Sequence, residues 1–317
     1  KIEKKFNQLN DIYEKMLENP HMNLLGLRGL MEQNLRNQDY HHAFIYGEKL
    51  FYLNPKIDKL YDTLINIISK TNNWQKLIYL NDHSLKFKII NKATHADNKS
   101  IAYYEIAKIK HKSSEQESIE LMEKAIKLKR NFAPYVNFYI HLLISSNNLE
   151  KAKKSLKNTW TVSPHPDLKE QIKKLAVALK ISYFELVKYI TSRNWDNYEA
   201  QILFAESYIE EKNWNKARSQ IKSLLEHKPT KEVCLLMAKI EEEDSGDPQK
   251  INAWISRSNL GKLNKIWICQ ISGLSQKHWT TVSKEGYFNS LEWKYPKNLA
   301  ELESPGFEIS PINYIEE

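Results

Sequence analysis

The chain has 317 residues, 41% of them hydrophobic and 27% charged, with a formal net charge of +8. Such a balance belongs to a folded protein of two globular domains or one elongated array, and only eight glycines and ten prolines argue against a β-sandwich or a disordered chain. Lys and Arg are mixed with Asp and Glu throughout, which reads as a solvated surface and disfavours nucleic acid as a partner; Cys234 and Cys269 supply neither a disulfide framework nor a four-cysteine metal site.

Residues 2–18 carry Ile2, Phe6, Leu9, Tyr13 and Met16 at three- and four-residue steps, an amphipathic helix that Asn19-Pro20 ends. Helix pairs follow over 24–57, 58–91, 99–132, 133–166 and 198–231, with a polar insertion at 92–98 and a looser pair at 167–197. In the first pair Leu24, Leu27, Leu30 and Met31 face Tyr40, Ala43 and Leu50; in the third, Ala102, Ile106 and Ile109 face Met122 and Ala125. A helix over 231–243 stops at Ser245-Gly246-Asp247-Pro248, and a short one near 249–256 closes the array. Beyond Gly261 the aromatic spacing becomes strand-like, which predicts a small β-hairpin module over 264–295. Pro296, Pro305 and Pro311 mark 296–317 as an extended tail. The expected organisation is a helix over 1–20, a helical array over 21–260, and a β module with its tail over 261–317.

Two anchors recur in the array. Ala43 with Pro55, Ala152 with Pro164, and Ala217 with Pro229 share one spacing, and Tyr40, Leu149 and Trp214 stand three places before each Ala. This resembles the tetratricopeptide (TPR) repeat, a helix–turn–helix unit of about 34 residues. The expected fold is all-α, a TPR-like α-solenoid capped by a degenerate zinc-ribbon-like module. Repeats of this kind bury their apolar stripes only by stacking, and the groove left by the first helices is the natural binding surface.

Trp74, Trp195, Trp214, Tyr40 and Tyr208 fall at repeat-packing positions and read as core. His41-His42 opens a second helix; His42 is the candidate if the chain ligates heme iron. His165, in Ser163-Pro164-His165-Pro166, reads as fixing a loop, and Glu241-Glu242-Glu243-Asp244 as a solvated helix end. There is no HExxH, phosphate loop or Ser/His/Asp order, so no enzyme activity is expected. Cys269-Gln270-Ile271-Ser272-Gly273 has the frame of a zinc knuckle with Ser at the second ligand place, and Ser283 stands where a second knuckle begins. One Cys cannot build a structural zinc site, so no zinc is expected.

Leu27-Arg28-Gly29-Leu30, Phe132-Ala133-Pro134, Trp160 with Ser163-Pro164-His165-Pro166-Asp167-Leu168, and Phe288-Asn289-Ser290-Leu291-Glu292-Trp293 occur in that order. Together they resemble the HemY family of bacterial inner-membrane TPR proteins associated with late heme (protoheme) biosynthesis. The missing cysteine pairs depart from the family. The resemblance implies a non-enzymatic scaffold for enzymes that handle porphyrins, with two membrane helices upstream and the repeats on the cytoplasmic side. No run of 18 apolar residues is present, and the chain starts at Lys1 without Met, which leaves room for such an anchor. Arg28, Asn34, Tyr104, Lys108, Asn137 and His141 lie on first helices and are the candidate groove residues for a protein partner. Alternative readings are a heme or porphyrin carrier and an adaptor in envelope lipid homeostasis.

Overall fold

The computed structural model describes residues 2–226 and 229–297, with side chains from residue 9 onward. Among the described residues it has fifteen α-helices and three short strands. Helix α1 (Ile2–Glu18) precedes seven pairs: α2 (Asn23–Arg36) with α3 (Tyr40–Leu53), α4 (Leu60–Thr71) with α5 (Trp74–Lys86), and α6 (Lys92–Lys110) with α7 (Glu115–Leu128). Then come α8 (Ala133–Ser145) with α9 (Leu149–Val162), α10 (Lys169–Leu179) with α11 (Tyr183–Thr191), α12 (Tyr198–Glu210) with α13 (Trp214–Leu225), and α14 (Lys231–Asp244) with α15 (Pro248–Asn259). The all-α array of helix pairs is therefore the observed architecture. The Ile2 and Phe6 side chains and the tail over 298–317 lie outside the described residues.

Local chemistry sets the boundaries. Asp39, Ser114, Ser182, Asn197 and Thr230 each accept a backbone N–H at a helix start, which satisfies a donor the helix itself cannot. In five pairs the turn between helices passes through a left-handed residue, namely Gln38, Asn72, Asn147, Lys180 or Lys212, and in the last pair through Gly246. Such a backbone reverses direction in two or three residues, so the two helices of each of these six pairs pack side by side.

The packing rests on small residues at the crossing. Ala43, Ala152 and Ala217 have no exposed surface. Where Leu77 replaces Ala, it too is fully buried. Leu27, Met31, Leu50, Leu64, Ile68 and Trp74 belong to one core. Three expected stripe members face solvent instead: Leu9, Leu24 and Ile109. Trp195 is also exposed, at 64%, because it sits in the turn before α12 rather than on a helix. The polar stretch at 92–98 is not an insertion but the first two turns of α6. Its polar groups are matched from α4 and α5. The Asn98 amide donates to the Tyr61 hydroxyl at 2.9 Å, Asn81 donates to the His95 carbonyl at 2.7 Å, and Asp82 pairs with His95 and Lys99.

The C-terminal strands β1 (Ile266–Cys269), β2 (Ser275–Gln276) and β3 (Leu291–Lys294) form one antiparallel sheet in the order β2-β1-β3. It is thus a three-stranded sheet rather than a hairpin. Trp267 pairs with Trp293 across it.

The chain forms two compact units. The first is Lys1–Ile109 with Thr281–Asn289; the second is Lys110–Thr280 with the residues from Ser290 on. In the first unit Val282 and Phe288 pack on the core, Phe288 stacks on Trp74 with ring centroids 6.5 Å apart, Thr281 donates to Glu105, and Asn289 donates to Asp97 at 2.6 Å. The sheet belongs to the second unit.

The crossing alanines have no space for a larger side chain. Ala152→Leu should lower stability by about 1–3 kcal/mol through overpacking. The exposed neighbour change Lys154→Gln should shift it by less than about 0.5 kcal/mol. Urea unfolding followed by circular dichroism checks both.

Candidate functional site

The first helices of the second unit carry a charged face. Lys169 and Lys173 are four residues apart on α10; Glu199, Glu206 and Glu210 are spaced by seven and four on α12, so each set lies on one side of its helix. The caps fix where these faces start. Asn197 caps α12 and Thr230 caps α14, which puts Glu199 and Glu232 in the first turns, where the helix dipole favours a carboxylate. Lys169 Nζ lies 3.0 Å from Glu232 Oε1 and 3.4 Å from Glu206 Oε1. One turn on, Lys173 pairs with Glu210. Asn264 donates to Glu232 Oε2 at 2.7 Å, and the Tyr198 hydroxyl bonds Thr230 Oγ1 at 2.6 Å.

The electrostatics follow from burial. Burial alone would lower the Lys169 pKa, but Glu206, Glu232 and Glu199 override it and raise it above the ordinary lysine value. Glu199 Oε2 is buried with no hydrogen-bond partner. Burial, against the attraction of Lys169 and with repulsion from Glu232 and Glu206, pushes Glu199 up to about 7. A partly buried ion cluster costs desolvation, so it is weak evidence for stability. It is a pattern of paired donors and acceptors.

Next to this face the sheet seats on the loop between α9 and α10. His165 is 6% exposed, and its Nδ1 accepts from the Asp167 N–H at 3.1 Å. Its ring lies 4.4 Å from Trp293 and 5.7 Å from Trp267, centroid to centroid. Trp267 Nε1 donates to Asp167 Oδ2 at 3.2 Å. Burial, against the pull of Asp167, lowers the His165 pKa, so the ring is neutral at pH 7. Trp279 fits edge-on to Phe132 and Tyr135 at 5.1 and 5.6 Å. The knuckle turn is retained: Gly273 N–H donates to the Cys269 carbonyl, and Ser272 N–H to Cys269 Sγ at 3.4 Å. Burial raises the Cys269 pKa, but its hydrogen bonds with Ser272 and Ser290 outweigh it and bring it to about 7. Among the described residues no three His, Cys, Asp or Glu side chains converge where they can hold a metal ion.

The expected groove residues are divided between the two units. Arg28 is exposed and pairs with Glu32 along its own helix. Asn34 donates to the Leu30 carbonyl one turn back. Lys108 pairs with Glu105 and lies 5.2 Å over the Tyr104 ring; burial, aided by Glu105, raises the Tyr104 pKa. These four belong to the first unit. In the second, Asn137 donates to the Asp167 carbonyl and accepts from Gln171, which commits it to the loop that seats the sheet. His141 lies 5.8 Å from the His111 ring, and burial followed by His111 lowers its pKa. His42 is exposed, with Nδ1 2.7 Å from Asp39 Oδ2. It stands on the solvent side of α3 rather than beside an apolar slot. Sequence reasoning missed Lys169, Glu199, Glu206 and Glu232. The seven-and-four spacing on α12 was the available signal, but glutamates on a helix are ordinarily solvated.

This is the class of protein the fold defines: an all-α helical-repeat array of TPR-like helix pairs. No protein-family profile matches the chain, and no curated protein is significantly similar. Among solved structures, the chain is similar to a tetratricopeptide repeat protein from Parabacteroides merdae at 14% identity and a TM-score of 0.33, over 78% of this chain and 98% of that one. MamA protein matches at 15% and 0.28, over 64% and 94% of the two chains. The TPR2AB domain of yeast Sti1, in its complex with pHSP90, matches at 12% and 0.21, over 74% and 98%. All three scores lie below 0.5, and the assignment of the array stands on its own helix pairs. Among the described residues no helix is long and apolar enough to cross a membrane.

Glu199 gives the face a pH signature. Its folded pKa is raised above 4.5, so its contribution to stability is full below 4.5 and lost as pH rises through about 7. Glu199→Gln removes that loss. Relative to the parent protein, the variant should gain thermal stability between pH 5 and pH 8. Melting curves at the two pH values read it, and an equal offset at both would refute the assignment.

Proposed function

We propose that this chain is a non-enzymatic scaffold that holds a protein partner on its first-helix face. The observation that supports this most is the ordered ladder of Lys169, Lys173, Glu206, Glu210 and Glu232, which fixes basic groups on α10 against acidic groups on α12 and α14. Such a pattern selects a partner by charge complementarity and register. It offers no reacting group for chemistry.

The resemblance carried by Trp160, Ser163-Pro164-His165-Pro166-Asp167-Leu168 and Phe288-Asn289-Ser290-Leu291-Glu292-Trp293 supports a finer reading. In it, the partners are enzymes of late heme biosynthesis, and the scaffold limits the escape of reactive porphyrins. The same resemblance supports an inner-membrane location through an upstream anchor, with the repeats facing the cytoplasm. The scaffold works in this reading without heme or zinc of its own.

The test is co-purification of the chain with the porphyrin oxidase and ferrochelatase from detergent-solubilised membranes of the source organism. Both should be enriched with the parent chain and lost with Lys173→Ala/Glu210→Ala. That exposed pair contributes at most about 1 kcal/mol to stability, so the variant should melt within a few degrees of the parent. Retention of the enzymes by the double variant would overturn the choice of face. Failure of either enzyme to bind the parent chain would remove the heme assignment and leave a scaffold for other proteins.

A further inference from the structure

A cavity of about 450 Å³ opens on the opposite sort of surface, between the two second helices α7 and α9, with α8 at its floor. Two stripes line it. Residues 123, 126, 127 and 130 come from α7 and its end; 151, 154, 155 and 158 come from α9. Both follow the same three-, one- and three-residue steps, so each is a single helix face, and the two faces look at each other. The remaining lysines of α9, Lys153 and Lys157, turn away and lie 4.6 and 4.1 Å over the Tyr189 ring.

The charges across this cavity are unbalanced. Glu123 is its one lining carboxylate, and it is already engaged. Lys151 Nζ lies 2.6 Å from Glu123 Oε1, and the Tyr139 hydroxyl donates to the same oxygen at 2.9 Å. These bonds, against the cost of burial, hold the Glu123 carboxyl below its ordinary range. Lys127, Arg130 and Lys154 line the same space, and none of the three is in an ion pair among the described residues. Ser155, Asn131 and Asn158 add neutral donors to the wall. The size is that of a small-ligand pocket, within the usual range of about 300–1,000 Å³. Three unpaired cations, one of them a guanidinium that forks onto two oxygens, suit a multiply charged tetrahedral oxyanion better than a single carboxylate.

We propose that the α7–α8–α9 cavity binds a phosphate-bearing ligand, with Lys127, Arg130 and Lys154 as its anchoring cations. Its source is either a soluble phosphate compound or the headgroup of an anionic phospholipid. The site is independent of the first-helix face and of the scaffold reading.

The experiment uses the whole chain, inorganic pyrophosphate in a calorimetric titration, and flotation with phosphatidylcholine vesicles containing phosphatidylglycerol. The parent protein should bind at least one probe saturably. Lys127→Gln/Arg130→Gln/Lys154→Gln should weaken that binding by about tenfold or more, since three charge-assisted bonds are lost. A control of equal charge, Lys188→Gln/Lys222→Gln/Lys277→Gln, should bind as the parent does. All three replaced cations in the test variant are exposed, so both variants should keep the parent's circular dichroism spectrum. Binding of pyrophosphate assigns a soluble ligand; binding of vesicles alone assigns a headgroup. No saturable binding of either probe, or equal loss in both variants, overturns the proposal.

Discussion

A helix pair with an apolar stripe on each helix cannot hide both stripes from water by itself, and everything else in this structure depends on that deficit. The second stripe finds cover only on the next pair, so stability is shared along the array. Close approach within a pair is helped by a residue with almost no side chain at the crossing. Ala43, Ala152 and Ala217 meet that need with no surface left exposed. The left-handed turns at Gln38, Asn147 and Lys212 then return the chain quickly enough for the crossing to form. A left-handed residue other than glycine costs about 1 kcal/mol, a cost small beside the burial it makes possible.

With the apolar stripes committed to stacking, the rest of each helix is released for polar work. The second unit uses this freedom in two ways. On its first helices, the lysines Lys169 and Lys173 are each engaged by glutamates of the chain. Between α7 and α9, Lys127, Arg130 and Lys154 outnumber the one carboxylate that lines the same cavity. The same basic excess that looks uniform along the sequence is therefore distributed unevenly in space. Neutral, buried His165 between two tryptophans shows a third use, in which a polar ring serves as packing material for the sheet.

The repeat spacing was legible because it depends on buried, apolar and local relations. A residue that must be Ala for contact, and a helix that must stop before Pro, leave marks within one repeat. The polar faces were not legible because their partners lie far apart in the chain. Lys169 meets Glu232 across 63 positions, and nothing near either residue announces the other. For the same reason the start of α6 looked like an insertion. Asn98 and His95 are polar in sequence but find their partners on α4 and α5. Trp195 was misjudged for the opposite reason. Helical periodicity was extended across a turn, where it no longer determines which way a side chain faces. The sheet was foreseen as strands, but its third strand joins the first across more than twenty residues, a pairing that strand spacing alone does not specify.

The contacts of Thr281 with Glu105 and of Asn289 with Asp97 join residues 176 and 192 positions apart within one unit. A chain made from its N-terminus at about 5–20 residues per second takes roughly 10–40 seconds to cover that distance. During this interval the first helices are already out of the ribosome, but Glu105, Asp97 and the Trp74 ring still lack the segment that covers them. The first unit is thus begun long before it can be finished. Until residues 281–289 have been made, it is an open surface to whatever chaperone or neighbour meets it first.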